Sequence, residues 1–133
     1  MLPDFGFHHI GIAVYDIDAT AEYYLEAGYE KTETVVDPIQ NVRICFLKKE
    51  GMPMLELVAP VDDASPVVKT LAKGGVSPYH SCYRVRDIDD AVARLKKKRF
   101  ILLGAPVEAC AINNKKVCFM YNSKVGLIEL VEE

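Results

Sequence analysis

Apolar and polar positions along the chain follow two periods, and these alternate in the same order twice. Ile10, Ile12 and Val14 take every second place in the stretch from Phe7 to Val14, which predicts a half-buried strand. Asp16 or Asp18 then offers an N-cap for a helix running to about Ala27, and Gly28 stands where a left-handed residue closes a helix. Three more strands are predicted at 29–37, 41–49 and 53–60, the last two joined by a turn at Glu50-Gly51. The order then returns, with a strand at 79–86, a helix at 87–99, and strands at 100–108, 115–121 and 126–131. Between the halves, Ser65 as N-cap, Pro66 at the first helical position and Gly74-Gly75 as a stop predict a short linker helix within 61–78.

Residue identity repeats along with the pattern. His9-Ile-Gly-Ile-Ala-Val-Tyr-Asp-Ile-Asp18 aligns with His80-Ser-Cys-Tyr-Arg-Val-Arg-Asp-Ile-Asp89 at an offset of 71 residues. Arg43-Ile-Cys-Phe-Leu47 aligns with Lys116-Val-Cys-Phe-Met120, and Leu55-Glu-Leu-Val58 with Ile128-Glu-Leu-Val131, both at an offset of 73. Three blocks in one order, separated by a small loop insertion, indicate an internal repeat. The expected architecture is α+β: two tandem βαβββ modules, about 7–60 and 79–133, forming one curved mixed β-sheet cup within a single domain spanning 1–133.

The polar residues inside these strands carry the chemistry. Side chains alternate faces along a strand, so His9, Gly11 and Ala13 share the face opposite Ile10, Ile12 and Val14. Glu56 sits between Leu55 and Leu57, and Glu129 between Ile128 and Leu130. Each module therefore presents one His from its first strand and one Glu from its last on the face away from the helix. A carboxylate buried there without a partner is costly, but two His and two Glu become favourable around a divalent cation. His9, Glu56, His80 and Glu129 are thus the expected ligands of one ion, with Ni, Co, Zn or Mn all suited to this donor set. His8 faces the other way and has Tyr79 as its counterpart in the repeat, so it is read as structural.

Composition narrows the class. Half of the residues are hydrophobic, 26% are charged and the net charge is −3, the balance of an ordinary globular protein without the basic excess of a nucleic-acid or anionic-membrane binder. No apolar run nears the roughly 18 residues that cross a bilayer, and the N-terminus lacks the pattern of a secretory signal. Cys45, Cys82, Cys110 and Cys118 form no C-x-x-C pair and are expected as reduced core thiols, which points to a cytoplasmic protein.

The segments HHIGIAV, LELVAPVDDASPVVKTL, YHSCYRVRDIDDAVARL and KKVCFMYNSKVGLIELVE resemble the vicinal oxygen chelate superfamily, and within it the glyoxalase I and methylmalonyl-CoA epimerase group. The run E-L-x-x-P-x-x-x-x-S-P from Glu56 to Pro66 is the most epimerase-like. The chain departs from the epimerases at Asn113-Asn114, where they commonly carry Gly-Gly, and from glyoxalase I at Asn122–Gly126. The resemblance implies the same four metal positions. It also implies a divalent-metal-dependent isomerase that moves a proton next to a carbonyl through a metal-stabilised enolate or enediolate, either as an epimerase or as a lactoylglutathione lyase. Glu129 is then the expected base and Glu56 its pseudo-symmetric partner. Arg43, Lys115 and Lys116 are candidate contacts for the phosphates of CoA or the carboxylates of glutathione. The expected partners are a thioester or hemithioacetal substrate and a second copy of the chain, with no nucleic acid and no membrane. The alternative is a small-molecule sequestering protein of the bleomycin-resistance type that needs no metal.

Overall fold

In the computed structural model, which describes every residue from Met1 to Glu133, the predicted elements recur as two sets. By internal contacts the chain divides into His9–Tyr79 and a second unit made of Met1–His8 with His80–Glu133.

In the His9–Tyr79 unit, β1 (Gly6–Ala13) runs parallel to β5 (Leu55–Pro60), which pairs antiparallel with β4 (Val42–Lys48). The short strands β2 (Glu30–Lys31) and β3 (Val35–Asp37) both pair with β4. Helix α1 (Ile17–Glu26) is capped by Asp16, whose carboxylate accepts the Ala19 N–H at 3.2 Å, so Asp16 rather than Asp18 is the cap. Ile12, Val14, Cys45, Leu47, Leu55 and Leu57 form one buried cluster with Ile17 and Ala21 of α1. The alternation read from the sequence therefore holds: the helix covers the Ile12–Val14 face and leaves the His9 face to other contacts.

The strand expected at 29–37 is instead two. At Thr32 the main chain still donates to the Phe46 carbonyl (2.9 Å), but the Phe46 N–H is taken by the Thr32 hydroxyl at 2.8 Å. A side chain replaces a carbonyl in the ladder, and regular pairing stops there until β3. The strand expected at 100–108 breaks likewise, into β7 (Ile101–Leu102) and β8 (Val107–Ala109). Leu103 still donates to the Phe119 carbonyl at 3.0 Å before Gly104-Ala105-Pro106, where proline has no N–H to offer.

The linker helix α2 (Val67–Gly74) begins after Pro66, whose own backbone is helical (φ −62°, ψ −24°). Ser65 is thus not the cap: its hydroxyl is buried and makes no hydrogen bond, and the helix start is held by the Ser65 carbonyl accepting from Val68 at 3.1 Å.

The other unit repeats the arrangement. β6 (Ser77–Val85) runs parallel to β10 (Gly126–Glu132), β10 pairs antiparallel with β9 (Lys115–Asn122), and β9 carries β7 and β8. Helix α3 (Ile88–Lys96) is capped by Asp87, which accepts from Asp90 at 3.0 Å, and by Glu132, which accepts from Ile88 at 2.9 Å. Ile88, Val92 and Leu95 pack on Cys118, Met120, Ile128 and Leu130, with Leu2 and Phe5 against the same cluster. Asp4 fastens this leading segment through both carboxylate oxygens to Arg94, at 2.7 and 2.8 Å. The Arg94 guanidinium holds the Asp4 carboxyl down at about 2.

Both long helices end alike. Tyr29 donates back to Tyr24 at 3.0 Å and Phe100 to Leu95 at 3.1 Å, each across a left-handed residue. That residue is Gly28 (φ 92°) in one unit and Arg99 (φ 68°) in the other. Helix α3 therefore stops at Lys96, short of the expected 99. A 3-10 turn at Cys110–Ile112 precedes β9 and closes on Asn113 (φ 53°) and Asn114 (φ 58°), matching the left-handed Asn41 (φ 58°) before β4. Asn tolerates this conformation better than other side chains.

Candidate metal centre

Strand pairing brings the nominated residues together within each unit. On the parallel pair β1–β5, Gly11 stands beside Glu56, and on β6–β10 Cys82 stands beside Glu129. His9 lies two residues before Gly11, and His80 two before Cys82, so each His shares the face of the neighbouring Glu. His9 Nε2 is 3.3 Å from Glu56 Oε1, and His80 Nε2 is 3.2 Å from Glu129 Oε1. All four side chains are at most 5% exposed. On the antiparallel side Phe46 faces Glu56 and Phe119 faces Glu129. Each phenyl ring meets its imidazole edge to face, at 5.5 Å and 70° for His9–Phe46 and 5.2 Å and 89° for His80–Phe119. The small residues Gly11 and Cys82 make room beside the carboxylates, while the rings limit how far the imidazoles turn.

A buried carboxylate is costly without a compensating partner, and an imidazolium or a cation held by both groups supplies one. One imidazole nitrogen and one carboxylate oxygen per unit is a donor set that suits a borderline divalent ion and that could take part in holding one. The residues present fit the ion the sequence calls for.

Other nominated residues lie elsewhere. Arg43, Lys115 and Lys116 are exposed. Arg43 alternates with Val42 and Ile44 and shares the side of Cys45 and Leu47, which pack under α1. Lys116 shares the side of Cys118 and Met120, which pack under α3. Only Lys115 shares the face of Phe119. His8 is partly exposed and belongs to neither pair.

None of the four cysteines is in a disulfide; Cys45, Cys82 and Cys118 are buried, but Cys110 is exposed on the 3-10 turn, so it is not a core thiol. Burial pushes the Cys118 thiol up to about 12, helped by the negative charge of Glu129 and of Asp89. Burial also raises Cys45.

Phe46 and Phe119 escaped the sequence reading, although both stand in the repeated blocks at the same offset. Asp37 escaped it too. It is a fully buried carboxylate that accepts from the Ile39 and Gln40 N–H groups at 3.0 Å and from Gln40 Nε2 at 2.7 Å. Its signal was the Asp-Pro turn pair, and its role is to hold that turn.

A sequence profile described as the Glyoxalase/Bleomycin resistance protein/Dioxygenase superfamily matches residues 8–119, and the chain belongs to that superfamily. Human mitochondrial methylmalonyl-CoA epimerase is 33% identical over 129 residues, covering 92% of this chain and 71% of the relative. The ethylmalonyl-CoA/methylmalonyl-CoA epimerase of Cereibacter sphaeroides is 31% identical over 118 residues, covering 86% of each. Among solved structures, methylmalonyl-CoA epimerase from Mycobacterium tuberculosis superposes with a TM-score of 0.86 at 30% identity, covering 99% of this chain and 92% of that one. The fold is the paired βαβββ fold of that superfamily. The chain is an enzyme of its metal-dependent epimerase group, which disfavours the sequestering alternative.

Proposed function

We propose that the chain inverts C2 of a 2-substituted malonyl-CoA thioester of the methylmalonyl-CoA type, with His9, Glu56, His80 and Glu129 together holding one divalent ion. The observation that carries this reading is the doubled, buried His–Glu pair, in a chain whose relatives are named epimerases of such thioesters.

Inversion next to a thioester carbonyl needs a proton removed from one face of carbon and another returned to the opposite face. The ion, when bound, supplies the positive charge that favours negative charge on the carbonyl oxygen, a contribution of several kcal/mol. Glu129 is assigned the proton removal and Glu56, its counterpart in the repeat, the return. His9 and His80 keep those carboxylates oriented, and Phe46 and Phe119 brace the imidazoles and exclude water, which protects the carbanion-like centre from stray protonation. Lys115 remains with this reading as a substrate contact, whereas the faces of Arg43 and Lys116 put both beside the helices. The expected form is a single-domain homodimer in the cytoplasm, in keeping with cysteines that form no disulfide.

The test is solvent exchange. Metal-loaded protein in deuterated water should incorporate deuterium at C2 of methylmalonyl-CoA and bring either epimer to a racemic mixture. No incorporation with that thioester, alongside turnover of a glutathione hemithioacetal, would move the assignment to the lactoylglutathione lyase branch.

A further inference from the structure

The two His–Glu pairs are near copies of each other, but the two ends of an acyl-CoA are not. Residues that break the repeat on the Glu-bearing face are therefore the ones able to orient a substrate. Working along that face, His9 matches His80, Glu56 matches Glu129, Phe46 matches Phe119 and Val58 matches Val131. At charged positions the match fails three times: Ala13 is answered by Arg84, Lys48 by Tyr121, and, at the start of β9, Val42, buried on β4, by Lys115, exposed on β9.

The register fixes where Lys115 stands. Phe119 faces Glu129, Val117 faces Val131, and on the other side of β9 Val107 faces Val117 and Ala109 faces Lys115. Cys82, Ala109, Val117 and Val131 pack as one apolar cluster with Val107 and Ile112, so Lys115 rises from its rim. It lies four residue steps along the strand from Phe119, about 13 Å, and its four-carbon stem reaches about 6 Å further in either direction.

The other cations near these strands are placed differently. Lys116 stands across from Glu108, and Lys48, at the far end of β4, stands across from Glu30. Arg84 shares the face of His80 and Cys82, but its guanidinium lies against Gly6, where an added Cβ would meet Nη2 at 3.0 Å. Lys115 stands across from Ala109 in the β8–β9 pair.

We propose that Lys115 is an anion-recognising residue for the substrate, pairing with one of its oxyanions and so fixing which way the thioester lies. This rests on the epimerase reading. Folded back, the ammonium meets the free carboxylate of the acyl group; extended outward, it meets the phosphates of the CoA tail. The shared chemistry is a Lys–oxyanion contact.

The experiment measures C2 exchange for wild type, Lys115→Ala and Lys115→Arg with methylmalonyl-CoA and with methylmalonyl-pantetheine, which lacks the phosphates. Metal content and circular dichroism confirm equal loading and folding. Lys115→Ala should lose about tenfold to a hundredfold in kcat/KM, mostly through KM, the scale of a charge-assisted hydrogen bond, and Lys115→Arg should recover much of it. An equal loss on both substrates assigns the acyl carboxylate, and a loss confined to the CoA ester assigns a phosphate. Unchanged kcat/KM on both, with an active wild type, overturns the role of Lys115 and leaves the epimerase reading standing. An inactive wild type overturns both together.

Discussion

A carboxylate set between two apolar neighbours in a strand is costly to bury, and that cost is what first draws attention to Glu56 and Glu129. Their repetition at one offset removes the reading of two unrelated solvated residues. Glu129→Gln keeps the shape and an oxygen donor but removes the carboxylate proposed as the base. C2 exchange at saturating metal should therefore fall by roughly 10²-fold or more, measured by deuterium incorporation. Glu56→Gln should also lose activity, and wild-type exchange in both variants would remove the carboxylates from the proton path. The thiols make a second residue-scale test. With Cys118 raised to about 12, an alkylating reagent at pH 8 should modify exposed Cys110 first and leave Cys118 intact in the folded protein. Because folding raises this acid's pKa above its ordinary 9.0, its contribution to stability is complete below pH 9 and declines as pH rises toward 12. What the sequence did not reveal was the direction of Arg43 and Lys116. Their places on strands expected to line the cup made them look available, and only the packing of Cys45 and Cys118 under the helices settles which side they occupy.

Elements were legible where periodicity was long and obscured where a single side chain intervened. The helices and the strands β1, β4, β5, β6, β9 and β10 appear within a few residues of expectation because their apolar faces are continuous. The strands broken at Thr32 and at Gly104-Ala105-Pro106 looked continuous because hydropathy does not register a hydroxyl taking a ladder donor. Ser65 looked like a cap because residue type was right, while Pro66 had already adopted helical angles. The end of α3 offers an element-scale prediction. Arg99 holds a left-handed conformation that its counterpart Gly28 adopts without a steric penalty. Arg99→Gly should stabilise the protein by about 0.5–1 kcal/mol, read as a raised urea midpoint with unchanged slope. A lowered midpoint would show that the Arg99 side chain contributes more than its backbone costs.

At the scale of the whole molecule, metal and fold are expected to be coupled. An ion that binds only the folded chain stabilises it by about 4 kcal/mol when present at a thousand times its Kd. Chelator should therefore lower Tm in wild type, while a His9→Ala/His80→Ala double variant should melt at one temperature with or without metal. Retention of one tightly bound ion by that variant would sink the ligand assignment. Acid makes the complementary test on the leading segment. The Asp4 carboxyl is depressed to about 2, so the Asp4–Arg94 contribution is present above the ordinary carboxylate range and disappears as pH falls through about 2. Arg94→Ala should return the Asp4 titration, followed by NMR, to higher pH. The doubled plan also has a genetic side. Once a module is copied, each half accumulates its own substitutions, and a left-handed helix end is a place where drift is tolerated at a small thermal cost. Every arginine codon is one base change from a glycine codon. Under selection for heat tolerance, the codon for Arg99 should accordingly be among the early ones to change, giving the second half the residue the first half carries at Gly28.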